Sequence, residues 1–509
     1  MQIARLASVA LLLCACEGAI GGAGDPFSGP TDQAPIDEPP IPGGSTDREY
    51  APLTPYPATM MRLTQKQFRN SIEDVFDAGA VPTTALPLDN VDEDFLSIGA
   101  SFVSSSEGAV ERYRDAAVEA AQKILTNRDR FAVLRDCYPQ SVGDACILDT
   151  VRTYAPKLWR RPVDEAEVSR HAAIAQAVED TPENAELALQ YVLASLLHAP
   201  SFVYVPNVGE DDPETGNRRY TSLEMASRLS YFLWDSTPDE ALIAAALAGD
   251  LVDPDSIRSE VERMLDDERA ADLPERFFGR NWNVDRLTAD SKDPDLFPEW
   301  TSTMVAAALQ EFRMGLDAAT ESGASILDVF SARETFMNGE LASLYDYPIS
   351  GSEFQQVPLD DERAGLLTSP AVMAANGKPN RTSPTQRGLF VRANLLCLEV
   401  PPPPDDVNLN LEESGGEGLS VRERLELHST SPACAGCHTL FDPMGMTLEN
   451  FDSLGRFRTY DGDFEIDPTA TFETTELASA RDLADFVRED PRTVSCLAER
   501  LYGFATGHM

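Results

Sequence analysis

Between Phe297 and Ser322 the apolar residues Trp300, Val305, Leu309, Phe312 and Leu316 return every three to five positions, with Glu and Asp dotted over the other face. That spacing predicts an amphipathic helix, and Gly323 is a natural stop for it. The same periodicity runs through Val110 to Leu125, Ala185 to Leu197, Leu223 to Leu233 and Leu483 to Phe504. Strand signals are few. The clearest is Phe457 to Phe472, where Asp461-Gly462 sits as a hairpin turn between Phe457 and Tyr460 on one side and Phe464 and Ile466 on the other. Pro401 to Pro404 and the acidic, glycine-bearing stretch down to Gly418 break any helix and mark the best internal boundary. No repeat of solenoid period is present. The expected fold class is therefore mainly α: multi-helical domains with a small β-hairpin element, in a chain of 509 residues that is long enough for two or more cores.

The N-terminus follows a different pattern. Arg5 precedes an apolar run from Leu6 to Leu13, too short to span a bilayer and suited to the core of a signal peptide. Leu13-Cys14-Ala15-Cys16 resembles a bacterial lipobox, so Cys16 is the expected lipidation site after removal of residues 1–15. Ordinary secretion with cleavage nearby is the other reading. Residues 16–57 are dominated by Gly, Pro, Asp, Ser and Thr, a composition that cannot bury enough surface to offset ordering entropy and that reads as a tether. No later stretch has eighteen successive apolar residues, so the expected membrane contact is through the lipid anchor only. A formal net charge of −44 argues against nucleic acid and anionic lipid as partners, and it suits an exposed protein or one that steers a basic redox partner.

Cys434-Ala435-Gly436-Cys437-His438 carries the sharpest chemistry. Two thiols three residues apart followed by an imidazole form the c-type haem attachment pattern, in which each thiol adds to a vinyl group and the histidine ligates iron. Chance would place it in about one chain in a thousand of this composition. The competing readings are a small-loop Cys434–Cys437 disulfide and a fragment of a zinc site, although zinc would want further Cys or His nearby. Covalent haem c is the expected cofactor, bound by Cys434 and Cys437, with His438 as proximal iron ligand. For the far side of the iron His428 is the first choice, ahead of Met444, Met446, Met373 and His508; an open position is the remaining reading. Cys137, Cys146, Cys397 and Cys496 are left over, an even number permitting three connectivities and suiting an oxidising compartment. The turn-rich Pro139 to Asp144 favours Cys137–Cys146, which leaves Cys397–Cys496. Hydrolase signatures (GxSxG, HExxH, GxxxxGK[ST]) are absent; acidic pairs such as Glu73/Asp74 and Asp239/Glu240 are ordinary in so acidic a chain, and His171 and His198 sit in helical patterns as packing residues.

Several segments resemble consecutive planctomycete surface domains. Arg62 to Asn70 is similar to the opening of one, Arg160-Arg161-Pro162 with Glu165 and Val168 to another, and Ala226 to Trp234 with Pro238-Asp239 to a third. Gly365 to Thr368, Arg381 to Pro384, Arg387-Gly388, the CxxCH, Asp442-Pro443, Gly445, Leu448-Glu449, Phe451-Asp452 and Gly455-Arg456 resemble the planctomycete cytochrome-c-like domain. The resemblance implies helical surface domains at 58–135, 136–210 and 211–350, a cytochrome-c-like helical module at 351–465 and a partial surface domain at 466–509. Two positions depart from the pattern: Phe441 stands where the family shows Met before Asp-Pro, and Gly507-His508 where it shows Gly-Arg. The expected function is an exported, lipid-anchored c-type haem protein transferring electrons at the cell envelope, in the periplasm or at the cell surface on the outer membrane. Its expected partner is a redox protein or a surface polymer. A haem-free surface scaffold or polymer-binding protein, and a haem enzyme acting on peroxide or another small molecule, are the alternatives, so whether it is an enzyme is left open.

Overall fold

The computed structural model describes residues 59–91, 95–100, 106–136, 138–213, 216–321, 323, 325–400, 418–429 and 432–507. These residues are mainly helical, with five short two-stranded antiparallel sheets among them. They fall into two compact units: one runs to Ala270 and takes in Ala505 and its neighbours, and the other is Ala271–Phe504.

In the first unit the Glu107–Thr126 and Ala185–His198 helices pack through small residues, since Ala116, Ala117, Ala120, Ala121 and Ala188 are fully buried and let the backbones approach. Phe68, on the Gln65–Val75 helix, lies 5.4 Å from the Tyr113 ring and 5.1 Å from Phe202. That helix starts at Thr64 with a capping box closed by Gln67. The preceding strand, Thr59–Arg62, pairs antiparallel with Tyr204–Asn207, Arg62 opposite Tyr204. Arg160 ends the Ala145–Trp159 helix in the left-handed conformation (φ 58°), with its guanidinium buried. It donates to the carbonyls of Leu158, Ser201, Phe202 and Tyr204 at 2.7–3.2 Å and to the Tyr231 hydroxyl at 3.1 Å. One cation thus satisfies the carbonyl ends of several segments.

The second unit is centred on Trp282, whose ring lies 5.4 Å from Phe330, 5.7 Å from Phe312 and 6.0 Å from Phe390. Phe312 belongs to the Ser302–Glu321 helix. This helix is shorter than its apolar pattern: Pro298 interrupts the start, and Trp300 sits before the first turn with its indole N–H on the Thr288 carbonyl at 3.1 Å. The pattern from Leu483 to Phe504 likewise divides into Ala480–Glu489 and Pro491–Thr506, because Asp490 precedes proline and is held extended (ψ 124°). The hairpin forms with Tyr460 opposite Glu465 and Asp461 opposite Phe464, so its turn is Gly462-Asp463, one residue later than the sequence suggested. Gly462 supplies the positive φ of 62° that this turn requires. A second hairpin pairs Ala470–Phe472 with Thr475–Leu477.

Residues on both sides of the proline-rich stretch belong to this second unit; 401–417 themselves lie outside the described residues. The Pro384–Leu389 helix, before the stretch, crosses the Pro432–Met446 helix, after it, at two glycines. A Cβ on Gly388 would sit 1.9 Å from the Phe441 carbonyl oxygen, and one on Gly445 would sit 1.8 Å from that of Pro384. Gly445→Ala should therefore destabilise this unit by about 3 kcal/mol or prevent its folding, because backbone on both sides must separate. Gly436→Ala on the same helix meets nothing within 4 Å and should be neutral or stabilising by about 1 kcal/mol. Urea unfolding of the two variants checks the contrast, and equal stabilities would contradict the tight crossing.

Glu311, fully buried on the Ser302–Glu321 helix, accepts from the Thr335 hydroxyl at 2.6 Å and from the Tyr345 hydroxyl. Burial pushes its carboxyl up to about 7, against the pull of those donors and of Arg363. The folded state then keeps a proton that the unfolded state releases near pH 4.5, so this group's contribution to stability falls as pH rises from about 4.5 to 7 and is level above. The full drop is about 3 kcal/mol. Glu311→Gln should lack this drop, so that the wild-type-minus-variant difference in stability falls by about 3 kcal/mol across that window, as read from urea unfolding at each pH.

Candidate functional site

The Pro432–Met446 helix opens with proline in its first turn, where no N–H is needed, and keeps its course through the internal Pro443. Cys434, Cys437, His438 and Phe441 are spaced i, i+3, i+4 and i+7, so they form one stripe along it. Cys434 is buried, Cys437 is half-buried, and both are free thiols, so the Cys434–Cys437 disulfide reading is not realised. The His438 ring stands 5.3 Å from that of Phe441. One turn on, Asp442 Oδ2 lies 2.9 Å from His438 Nδ1. The other oxygen of that carboxylate accepts from the Thr385 hydroxyl at 3.0 Å. Thr385 is on the crossing Pro384–Leu389 helix, so both helices fix the carboxylate, and the carboxylate fixes the imidazole.

Behind this stripe is a shell of buried charge. Arg387, fully buried, donates to the carbonyls of Leu448, Phe451 and Asp452 at 2.7–2.8 Å. Those three carbonyls belong to the turn that leaves the CxxCH helix. Arg363 holds the next piece, donating to Thr368 O at 3.1 Å and Gly455 O at 2.9 Å while its guanidinium lies 3.9 Å from the Tyr345 ring centre. Glu449, 1% exposed, accepts from Arg458 at 2.9 Å and from Thr382, and is 4.0 Å from Arg387. Burial raises the Glu449 carboxyl above its ordinary range, and Arg387, Thr382 and Arg458 oppose that rise.

The other candidate residues are scattered. Cys397 is bonded to Cys496 across 99 residues, with Cα atoms 5.2 Å apart, tying the end of the Phe390–Leu395 segment to the Pro491–Thr506 helix. Cys146 is also disulfide-bonded; Cys137, Cys16 and His508 lie outside the described residues. His428 is on the Val421–Ser429 helix, with its side chain outside the described part. Met373, Met444 and Met446 are buried in the core. His171 Nδ1 is 3.1 Å from the Ser195 hydroxyl and His198 Nε2 is 3.2 Å from the Val110 carbonyl, both packing roles. Asp442 as the imidazole's partner was the residue that sequence reasoning missed, although its i+4 spacing from His438 on a helix was a usable signal. Thr385 carried no such signal.

Four family models match successive parts of the chain: PSD3, a protein of unknown function (DUF1587), at residues 61–126; PSD5 (DUF1595) at 146–207; PSD4 (DUF1592) at 220–347; and PSCyt3 (DUF1588) at 363–461. The last spans the crossing helices, the CxxCH and the buried-arginine turn. No curated protein and no solved structure matches the chain.

Proposed function

The chain belongs to the proteins built from consecutive PSD3, PSD5, PSD4 and PSCyt3 domains, and from that premise we propose that it is an exported c-type haem protein that transfers electrons at the cell envelope. The observation that carries this reading is the stripe itself: two free thiols and an imidazole on one helix face, with the imidazole's Nδ1 held by a carboxylate. These residues fit haem c. Cys434 and Cys437 are the thiols that would each add S–H across one vinyl double bond, sulfur to one carbon and hydrogen to the other, with no net oxidation. Asp442 holds Nδ1, so Nε2 is the nitrogen of His438 that would ligate iron, the arrangement that fixes a ligand's tautomer and raises its basicity. Haem, when bound, supplies a one-electron couple at iron.

The same helix speaks against two candidates for a second iron ligand. Met444 and Met446 follow His438 on the same unbroken helix, about 9 and 12 Å further along the axis, so neither would share an iron with His438 unless that helix broke. Both are buried in the core. His428, on a separate helix, is the ligand we assign there. For the anchor, the lipobox-like Leu13 to Cys16 supports lipidation of Cys16, and no described helix is long and apolar enough to cross a membrane.

Expression with haem-attachment machinery followed by denaturing electrophoresis tests the assignment. Wild type should give a peroxidase-active band, and the Cys434→Ser, Cys437→Ser double variant should give none while circular dichroism keeps its helical content. A band of wild-type strength in the double variant would sink the haem reading; absence of the band from both proteins would favour a haem-free scaffold. Metabolic labelling with palmitate examines the anchor: wild type should take the label, and Cys16→Ala should lose it and accumulate precursor.

A further inference from the structure

A cleft of about 1290 Å³ opens in the 271–504 unit, larger than the roughly 300–1,000 Å³ usual for small-molecule sites. Its charge is opposite to that of the chain around it. Lys378, Arg381, Arg424 and Arg458 line it against only Asp452 and Asp461, in a protein whose net charge is −44. The two acids are already answered: Arg458 pairs with Asp461, and Arg456 lies 3.6 Å from Asp452. Lys378 and Arg424 form no ion pair among the described residues; Arg424 only donates to the Leu419 carbonyl, at 2.6 Å. Ser453, fully buried, lines the same cleft with a hydroxyl that has no hydrogen-bond partner. A buried hydroxyl left unpaired is destabilising, a cost that a bound acceptor would remove. Phe297, Leu419 and Phe464 add apolar wall.

We propose that this cleft binds an organic anion with a flat apolar body and a carboxylate, the carboxylate taken by Lys378 and Arg424 and a second polar atom by Ser453. Charge-assisted bonds to a carboxylate explain why cations are kept unpaired here, and the apolar wall explains why the ligand is more than an inorganic ion. The site stands apart from the haem reading: none of Cys434, Cys437 and His438 lines it, and its nearest link is Thr385, on the wall, whose hydroxyl donates to Asp442.

Isothermal titration of the full-length protein with 2-naphthoate, and with neutral 2-naphthamide for comparison, tests the proposal whether or not haem is attached. The carboxylate should bind at least about tenfold more tightly than the amide, and added salt should weaken it. Lys378→Met and Arg424→Met should each lose about tenfold in affinity at unchanged melting temperature. Ser453→Ala should leave stability equal or higher while weakening binding, the reverse of what a structural hydroxyl would do. Equal affinities for carboxylate and amide, wild-type affinity in both cation variants, or no binding at millimolar ligand would each overturn it. If one cation variant fails to fold, the other and Ser453→Ala still decide.

Discussion

Everything in the C-terminal unit that bears on chemistry hangs on one backbone crossing, where Gly388 and Gly445 let the Pro384–Leu389 and Pro432–Met446 helices touch. No side chain fits between them, so the approach distance is set by peptide groups and cannot be relaxed by a rotamer change. Arg387 sits beside Gly388, and at that distance its guanidinium reaches the carbonyls of Leu448, Phe451 and Asp452, adding charge-assisted bonds to a turn in which Leu448 O and Asp452 O also accept the N–H groups of Phe451 and Gly455. Thr385, one turn earlier, reaches Asp442 for the same reason. The orientation of His438 is therefore a consequence of the crossing, relayed through one carboxylate.

Buried arginines do parallel work in the first unit. Arg160 gathers carbonyls from Leu158, Ser201, Phe202 and Tyr204 much as Arg387 gathers those of the Leu448–Asp452 turn. Removing a guanidinium from water is costly, and several charge-assisted bonds to carbonyl oxygens are what offset it. Both arginines belong to segments that resemble known domains, Arg160-Arg161-Pro162 and Arg387-Gly388. Those motifs thus mark where the fold closes. They are not catalytic signatures, and a functional assignment drawn from them alone would misplace the site.

Helical periodicity made most of the fold legible, because burial of one face is written locally: Val110 to Leu125, Ala185 to Leu197 and Leu223 to Leu233 each fall within a helix. Legibility failed where one residue overrode the pattern. Asp490-Pro491 splits what reads as a single helix, and Pro298 delays another. It failed more completely for contacts across long sequence separations. Nothing in the spacing of Gly388 and Gly445 announces that they meet, and the proline-rich stretch between them reads as a boundary although its flanks belong to one unit. The CxxCH was legible as an attachment motif but not as a helical stripe; the threonine that anchors the carboxylate beside it came from another helix and could not be read.

The CxxCH helix is consequently divided along its length. Its C-terminal half, with Phe441, Met444 and Met446 buried and Gly445 in the crossing, is fixed to the core. Its N-terminal half keeps Cys437 and His438 partly exposed, and a Cβ added at Gly436 would meet nothing within 4 Å. On the haem reading Cys437 has that access while Cys434 is buried, and the imidazole takes its one orientation from the fixed half through Asp442. Asp442 sits at the junction of the two and transmits rigidity from the core to an imidazole that is only partly exposed. Electron transfer, on the reading proposed here, profits from that split, because the ligating ring is preset by the fold and has little to rearrange when the charge at its partner changes.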